Sequence, residues 1–316
     1  MKILFVYNHN RTFVHKDIRM LKKHYDVTSL FYKKEKDNLE FEVKKNDIII
    51  SRFASKHSIK TFKYAKKYNK KTIVIVGGFD ASDIKGYGIF SSFIKRRIAS
   101  YIYNRADLIL PVDNSLKDVI IKYLPHLEKR ITVIPSGYNS KYFKPDGTKK
   151  KQVLTVCYVN KTNWWRKGIK TLVEVAEQLP DVQFTIVGKV SEDIQEKIDS
   201  TPENMTFTGW ITNEELLHKY QESKVFTLLS KYEGLPNALC EAMLCNCIPV
   251  TTGVCGIPNA QGNIGYYVSY DNAVETKKAI EEALTKKTST IIRNKIKNNF
   301  TIEEREKKFK KVIDAL

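Results

Sequence analysis

Short apolar segments alternate with longer amphipathic ones along this chain, and this alternation constrains the fold more than any other feature of the sequence. Strand-like apolar segments lie at 2–7, 47–51, 71–78, 106–112 and 130–137. Helix-like segments lie between most of them, at 15–24, 57–68, 90–104 and 114–124. Strands that alternate with helices predict βαβ units, and strands that are apolar almost throughout predict a parallel sheet covered on both faces.

The same alternation restarts after a polar segment at 139–152, which is the best linker candidate because it combines Pro, Gly and three consecutive lysines. Further strands are predicted at 153–159, 182–189, 205–211, 225–230, 247–252 and 264–270. Further helices are predicted at 168–179, 213–223, 237–246, 272–286 and 289–315. We therefore predict two doubly wound α/β domains in series, with ligands bound in a cleft at the carboxyl ends of their strands.

The net charge of +19 is unevenly distributed along the chain. Residues 1–150 hold 32 basic and 14 acidic side chains, whereas the remainder holds 22 and 21. A basic first half favours an anionic partner, which would be a membrane surface, a nucleic acid or a phosphorylated substrate. Segment 90–105, with four basic and several apolar side chains at helical spacing, is either a core helix with a solvated back or a basic face against anionic lipid.

Composition excludes several classes of protein. With 42% hydrophobic and 28% charged residues, the chain is neither a disordered tail nor a small disulfide scaffold. It contains no apolar run of ~18 residues, and its first apolar run stops at Asn8, so we expect neither a membrane-spanning helix nor a signal peptide. All five cysteines lie in the second half without the paired spacing of a zinc site, which favours reduced thiols in the cytoplasm.

Segment 228–250 contains the most informative motif. A strand that runs into Ser230 precedes a tight turn with Gly234 and Pro236, and a helix is predicted to begin near Asn237. Amides at such a turn form an anion site that the helix dipole reinforces. The amides assigned to this site belong to Leu235, Asn237 and Ala238.

Two carboxylates flank this turn, with seven residues between them. Glu241 lies about one turn into the predicted helix, where its carboxylate could accept two hydrogen bonds from a vicinal diol such as a ribose. Glu233 precedes the turn and could reach a group that sits above the same amides. The alternative is an ordinary strand–turn–helix with surface carboxylates.

The motif closely resembles the donor-site signature of the retaining glycosyltransferases of family 4, which have the GT-B fold. The family pattern is approximately E-G-F/L-P/G, a helix with E-A-M-A, and then G-x-P-V. Residues 233–236, 241–243 and 248–250 match it, although the glycine before the last strand is absent. Four further segments are similar to the family, at 104–120, 131–145, 166–189 and 298–316.

The resemblance implies a nucleotide-sugar donor and a reaction that needs no metal or other cofactor. Lys167 matches the family lysine that contacts the diphosphate, Glu233 would contact the donor sugar, and Glu241 would hold the ribose. Tyr158 stands where the family has an arginine, so Lys161 or Arg166 would supply the missing positive charge.

The remaining site assignments are less direct. On the donor side, further contacts are assigned to Gly188, Trp210, Ile211, Ser230, Gly234 and Pro236. On the acceptor side, Asn10 follows the first strand in a loop that lacks the family's glycines, and Asp80 follows Gly77-Gly78. Capping of a helix is the alternative role for Asp80.

Together these observations predict a GT-B protein with an acceptor domain at 1–145, a donor domain at 151–297 and a helix at 298–316 that packs back on the first domain. The expected function is retaining transfer from a nucleoside-diphosphate sugar to a glycan or lipid-linked acceptor at the cytoplasmic face of the membrane. The alternatives are a protein that glycosylates or binds nucleic acid, for which no motif is visible, and a non-catalytic protein that binds nucleotide sugars.

Overall fold

A computed structural model describes residues 1–147 and 149–316 and divides into two compact α/β units. The first unit comprises Met1–Ser136 and Glu303–Leu316, and the second comprises Gly137–Ile302. The described strands of each unit form one parallel sheet. The predicted fold class, with two doubly wound domains, is confirmed.

The first unit has a five-stranded sheet. Its strands are β1 (Lys2–Tyr7), β2 (Asp26–Phe31), β3 (Ile48–Arg52), β4 (Lys71–Val76) and β5 (Leu108–Pro111). Its helices are α1 (Thr12–Leu21), α2 (Tyr32–Glu35), α3 (Leu39–Lys45), α4 (Lys56–Lys67), α5 (Phe93–Arg105) and α6 (Asn114–Tyr123). In the strand order β2-β1-β3-β4-β5, the chain proceeds outward to one side from β1 and to the other side from β3. Sheets of this kind bind ligands at this switch point between β1 and β3.

The second unit has a six-stranded sheet. Its strands are β6 (Lys150–Val156), β7 (Gln183–Val187), β8 (Met205–Phe207), β9 (Ser223–Leu228), β10 (Ile248–Thr252) and β11 (Tyr266–Val268). Its helices are α7 (Lys161–Arg166), α8 (Ile169–Glu177), α9 (Gln195–Asp199), α10 (Asn213–Glu222), α11 (Asn237–Leu244), α12 (Ile257–Gln261), α13 (Ala273–Thr285) and α14 (Thr290–Asn299). The order β11-β10-β9-β6-β7-β8 is that of dinucleotide-binding sheets, and its switch point lies between β6 and β9.

The last helix, α15 (Ile302–Asp314), packs in the core of the first unit. Phe309 and Ile313 are each 1% exposed there, among side chains of β1, β3 and α1. The Arg305 guanidinium donates to both oxygens of Asp17 on α1, at 2.8 and 2.9 Å. Apolar burial and a paired charge therefore hold this distant segment in the first unit.

The unit boundaries differ from the predicted domain boundaries. The first domain was expected to extend to residue 145, but residues from Gly137 onward belong to the second unit. Tyr138 donates from its hydroxyl to Asn237 at 2.9 Å, and Tyr142 donates to the Asn213 carbonyl at 3.2 Å. The expected linker is therefore largely packed, and its last residues begin β6.

Three segments also differ from the predicted pattern of elements. Segment 130–137 forms only one bridge, from Ile131 to Ile109, instead of a strand. The long helix expected at 289–315 is two helices, because Phe300 ends α14 and gives its carbonyl to the Tyr138 amide. Strand β2 had not been predicted, because most of its side chains are exposed or only half-buried and its apolar pattern is weak.

Candidate active site

The candidate active site of the second unit lies at the carboxyl ends of β6 and β9, the two strands at the switch point. These strands pair directly, with Val153 opposite Val225 and Leu154 opposite Phe226. The chain after β6 leads into α7, whose N-cap Asn160 accepts a hydrogen bond from the Asn163 amide at 2.8 Å. The chain after β9 forms the loop 229–236 that precedes α11.

Gly168 lets these two segments approach each other closely. It lies between α7 and α8 with a φ of 66°, and a Cβ atom there would lie 2.4 Å from the Leu229 carbonyl oxygen. Only glycine combines this conformation with this contact at little cost. The preceding residue, Lys167, is thereby positioned beside the loop after β9.

Lys167 forms an ion pair with Glu233, which lies in the loop after β9. Their side chains are only 15% and 12% exposed. Ser230 also donates from its hydroxyl to Glu233 Oε1, at 2.6 Å. The structure thus brings together three residues that the sequence had assigned to one site.

The electrostatic surroundings keep Glu233 ionised. Burial by itself would raise the pKa of this carboxyl, but the charges of Lys167 and Arg166 and the hydrogen bonds from Lys167 and Ser230 lower the pKa below its ordinary value. The site therefore contains a fixed carboxylate beside a fixed ammonium.

Arg166 acts through the structure of the loop rather than as an exposed cation. Arg166 is 7% exposed, and its guanidinium donates to Asn163 Oδ1 and to the Tyr232 carbonyl. Its own carbonyl accepts from the Lys231 amide at 2.8 Å. Arg166 therefore fastens the loop after β9 to α7, whereas Lys161 is exposed at the start of α7.

Helix α11 begins at Asn237, as predicted, with Pro236 at its N-cap. Pro236 has extended backbone angles, and no acidic residue lies in the first turn. The first amides of a helix have no acceptor within it, so those of Asn237 and Ala238 can bind an anion. Gly234 and Leu235 are buried in the loop that leads to them.

Glu241 is half-buried on α11 and accepts a hydrogen bond from the Tyr220 hydroxyl at 3.3 Å. Burial raises the pKa of Tyr220 well above its ordinary value, so this hydroxyl remains a donor. Tyr220 lies on α10 and had not been assigned to the site. The sequence offered no signal for it, because the contact joins two helices through the fold.

Hydrogen bonds between loops connect the rest of the predicted donor site. The Gly188 amide donates to the Gly209 carbonyl at 3.0 Å, and a Cβ at Gly188 would lie 1.9 Å from the Cys157 carbonyl oxygen. The loops after β6, β7 and β8 are thus held together. Trp210, in the last of them, is 77% exposed, Ile211 is half-buried, and Tyr158 is 39% exposed.

The acceptor-side residues of the first unit lie differently. Asn10 is exposed and its side-chain oxygen contacts His15 Nε2. Asp80 is 1% exposed, and its carboxylate accepts from the amides of Gly77, Gly78 and Ala54. These contacts correct the expected substrate role: the carboxylate is used to hold backbone at the ends of β3 and β4.

Two features are absent from the described residues, namely a metal-binding cluster and a membrane-spanning helix. Among residues 1–147 and 149–316, no group of three or more His, Cys, Asp or Glu side chains is arranged to hold a metal ion. In the same residues, no helix is both long enough and apolar enough to cross a membrane.

The chain is similar in sequence and in fold to known proteins. Residues 153–286 match the family model of glycosyl transferases group 1. Alpha-maltose-1-phosphate synthase of Mycolicibacterium smegmatis is 26% identical over 211 residues, which cover 59% of this chain and 53% of that protein. The GPI3 subunit of phosphatidylinositol N-acetylglucosaminyltransferase from Saccharomyces cerevisiae is 24% identical over 221 residues, which cover 65% of this chain and 49% of that subunit. The matched part therefore spans about half the length of these curated relatives.

Among solved structures, the fold is similar to that of Anabaena Alr3699/HepE in complex with UDP. The alignment covers 100% of both chains with a TM-score of 0.82 at 15% sequence identity. At this identity the likeness establishes the shared fold.

Proposed function

We propose that this chain, whose second unit belongs to the glycosyl transferases group 1 family, transfers a sugar from a nucleoside-diphosphate sugar to a glycan or lipid-linked acceptor. The observation that carries the proposal is the shielded Lys167–Glu233 pair at the switch point of the second sheet. The start of α11 adds an anion site to the same loop. That HepE binds UDP supports a nucleotide donor.

In this proposal, Lys167 and the first amides of α11 hold the diphosphate. Negative charge grows on this group as the sugar leaves, so fixed donors stabilise the transition state more than the ground state. An ammonium has three donors, and Lys167 can therefore hold Glu233 and a phosphate oxygen together. Removing one such donor typically costs roughly 2.7–4 kcal/mol in the barrier.

Glu233 and Glu241 would hold the two ends of the donor. Glu233, kept ionised by its neighbours, would bind hydroxyls of the sugar or stabilise the positive charge that develops at the anomeric carbon. Glu241, oriented by the Tyr220 hydroxyl, would accept hydrogen bonds from the ribose diol. Trp210 would contribute to the wall around the base.

We propose that transfer retains the anomeric configuration and needs no metal. The bond from the anomeric carbon to the diphosphate oxygen breaks, and the acceptor oxygen bonds to the same face of the sugar. The proton of the acceptor hydroxyl passes to the leaving diphosphate. Proton NMR of the first product formed would show the retained anomer, and the rate would be unchanged by EDTA.

We place the acceptor at an anionic membrane surface, because the first unit carries 33 basic and 17 acidic side chains. The start of α5 also presents Phe93 and Ile94 to solvent, at 69% and 73% exposed, beside Lys95 and Arg97. Their exposure favours the second of the two interpretations of segment 90–105, a basic face against anionic lipid, over a core helix. A basic surface with exposed apolar side chains is suited to lipid headgroups and the acyl boundary beneath them.

The proposal is tested by a thermal-shift screen of nucleotide sugars, beginning with uridine diphosphate sugars, followed by transfer assays with the donors that bind. A ligand that binds only the folded state raises the unfolding midpoint. Binding with transfer that Lys167→Ala removes would support the enzyme. Binding without transfer to any glycan or lipid acceptor would favour the non-catalytic alternative, and no nucleotide-sugar binding would refute the proposal.

A further inference from the structure

Arg52, the last residue of β3, is a buried arginine with unused hydrogen-bond donors at two of its three nitrogen atoms. The residue is 4% exposed, and within the described part of the chain its Nε and Nη1 atoms have no hydrogen-bond partner. An arginine has five N–H donors, and buried polar groups of folded proteins are nearly always bonded. Burial lowers the pKa of Arg52 to about 10, so the side chain is still charged at neutral pH.

The two carboxylates that act electrostatically on Arg52 are committed to other groups. Asp17 Oδ2 lies 4.0 Å from Arg52 Nε, beyond hydrogen-bond distance, and both Asp17 oxygens accept from Arg305. The Asp80 carboxylate is occupied by backbone amides. Arg52 therefore has counter-charges nearby, but its Nε and Nη1 donors have no acceptor among residues 1–147 and 149–316.

Two aromatic rings, which are nearly perpendicular to each other at 83°, lie beside the Arg52 guanidinium. Its central carbon lies 5.0 Å from the Phe13 ring centroid and 4.6 Å from that of Phe53. Phe53 has a φ of 71°, a conformation that a bulky residue rarely adopts, and a Cβ at Gly77 would lie 2.4 Å from its ring. The fold thus accepts an unfavourable backbone conformation at a residue whose ring lies at cation–π distance from the Arg52 guanidinium.

Arg52 lies at the switch point of the first sheet. Strands β1 and β3 pair with Val6 opposite Ser51, so the chain segments after both strands begin side by side. In the segment after β1, the buried side-chain oxygen of Asn8 also has no hydrogen-bond partner among the described residues. An unused set of donors and an unused acceptor therefore flank the position where sheets of this order bind ligands.

We propose that this switch point binds an oxyanion of the acceptor, a phosphate or a carboxylate, with Arg52 as its principal donor and Asn8 accepting from a hydroxyl of the same ligand. The fork of an arginine fits both oxyanions with two parallel hydrogen bonds. Because Nε and Nη1 are shielded from solvent, a covering side chain must move as the ligand enters. Only the identification of this ligand as the acceptor rests on the proposed function.

Inorganic phosphate and glucuronate are suitable probes, used with the full chain carrying Lys167→Ala so that the second unit binds anions weakly. We compare Arg52→Met with Arg19→Met, a matched change at an exposed arginine of the same unit. Phosphate, glucuronate or both should raise the unfolding midpoint of the parent and of Arg19→Met, while Arg52→Met should lose at least tenfold in affinity for the effective probe. The stronger of the two probes identifies the oxyanion.

A direct readout covers the case in which Arg52→Met fails to fold. The Arg52 Nε–H resonance of the otherwise unchanged protein should shift on titration with the effective probe, and Arg52→Lys should bind that probe more weakly. Equal affinity in Arg52→Met, or a parent that binds neither probe, overturns the site. UDP binding is measured separately, with the chain that retains Lys167. Failure of the Arg52 site would then appear as lost phosphate and glucuronate binding, and failure of the proposed function would appear as lost UDP binding.

Discussion

The Lys167 ammonium and the Glu233 carboxylate contact each other at the carboxyl edge of the second sheet, although 66 positions separate them in the chain. The left-handed turn at Gly168 and the loop after β9 bring them together. Because water is largely excluded from this pair, its charges act strongly on each other and on any ligand between them.

Replacement of Lys167 by alanine should lower kcat for sugar transfer by about 10²–10³-fold, because one fixed donor to the leaving diphosphate is lost. Steady-state kinetics with the donor found by the screen measures this. Lys170→Ala is the matched control, since Lys170 is exposed and pairs with Glu174. Equal rates in Lys167→Ala and the control would remove Lys167 from the site.

Glu241→Ala should act mainly on donor binding. Loss of charged hydrogen bonds to a ribose is worth about 1.5–3 kcal/mol, which corresponds to a rise in KM of roughly 10–100-fold. Tyr220→Phe should produce a smaller change in the same direction, because it removes only the hydroxyl that orients Glu241. An unchanged KM for the nucleotide sugar in Glu241→Ala would contradict the assigned role.

The free energy of unfolding should depend on pH through the ionisation of Glu233 in its pair with Lys167. The pKa of Glu233 is lowered in the folded protein, so the pair stabilises the fold above the ordinary value of 4.5 and this contribution is lost as pH falls through the lowered pKa. Lys167→Met should therefore cost about 3 kcal/mol at pH 7 and progressively less below pH 4.5. Urea unfolding at several pH values measures the difference in unfolding free energy between the unchanged protein and Lys167→Met. This difference would be independent of pH if Glu233 were not responsible for it.

Gly168→Ala should destabilise the second unit more than Gly209→Ala. Both glycines have positive φ, at 66° and 71°, so alanine costs ~1–2 kcal/mol at either position. At Gly168 the new Cβ would also meet the Leu229 carbonyl, whereas at Gly209 nothing lies within 4 Å. Comparison of the two unfolding free energies isolates the close contact, and equal values would show that the loop relaxes freely.

The exposed apolar residues of α5 should govern membrane binding. The double change Phe93→Ser and Ile94→Ser should reduce sedimentation with phosphatidylglycerol vesicles, and salt should weaken binding because it screens the basic side chains. Val274→Ser with Ile291→Ser is the control, since these residues of the second unit are 78% and 65% exposed. Binding to neutral vesicles alone, or binding to duplex DNA in preference to lipid, would argue against the membrane assignment.

Much of the fold could be predicted from the sequence, because strands that are buried on both faces of a sheet have continuous runs of apolar residues. Strand β1 and helices α6 and α11 lie where expected, within a few residues. Strand β2 escaped prediction because it lies at the edge of its sheet, where partial exposure erases the pattern. The break at Phe300 was also missed, although Thr301 and Glu304 have the spacing of a capping box at the start of a new helix.

Local spacing in the amino-acid sequence was enough to predict the two-domain α/β class, the position of α11 and the residue types of the donor motif. The contacts that those residues make depend on the tertiary structure. It paired Lys167 with Glu233, turned Arg166 and Asp80 towards backbone groups, and left two buried nitrogen atoms of Arg52 without an acceptor in the described part of the chain. These outcomes depend on distances between segments remote in the chain, and neither periodicity nor composition records such distances.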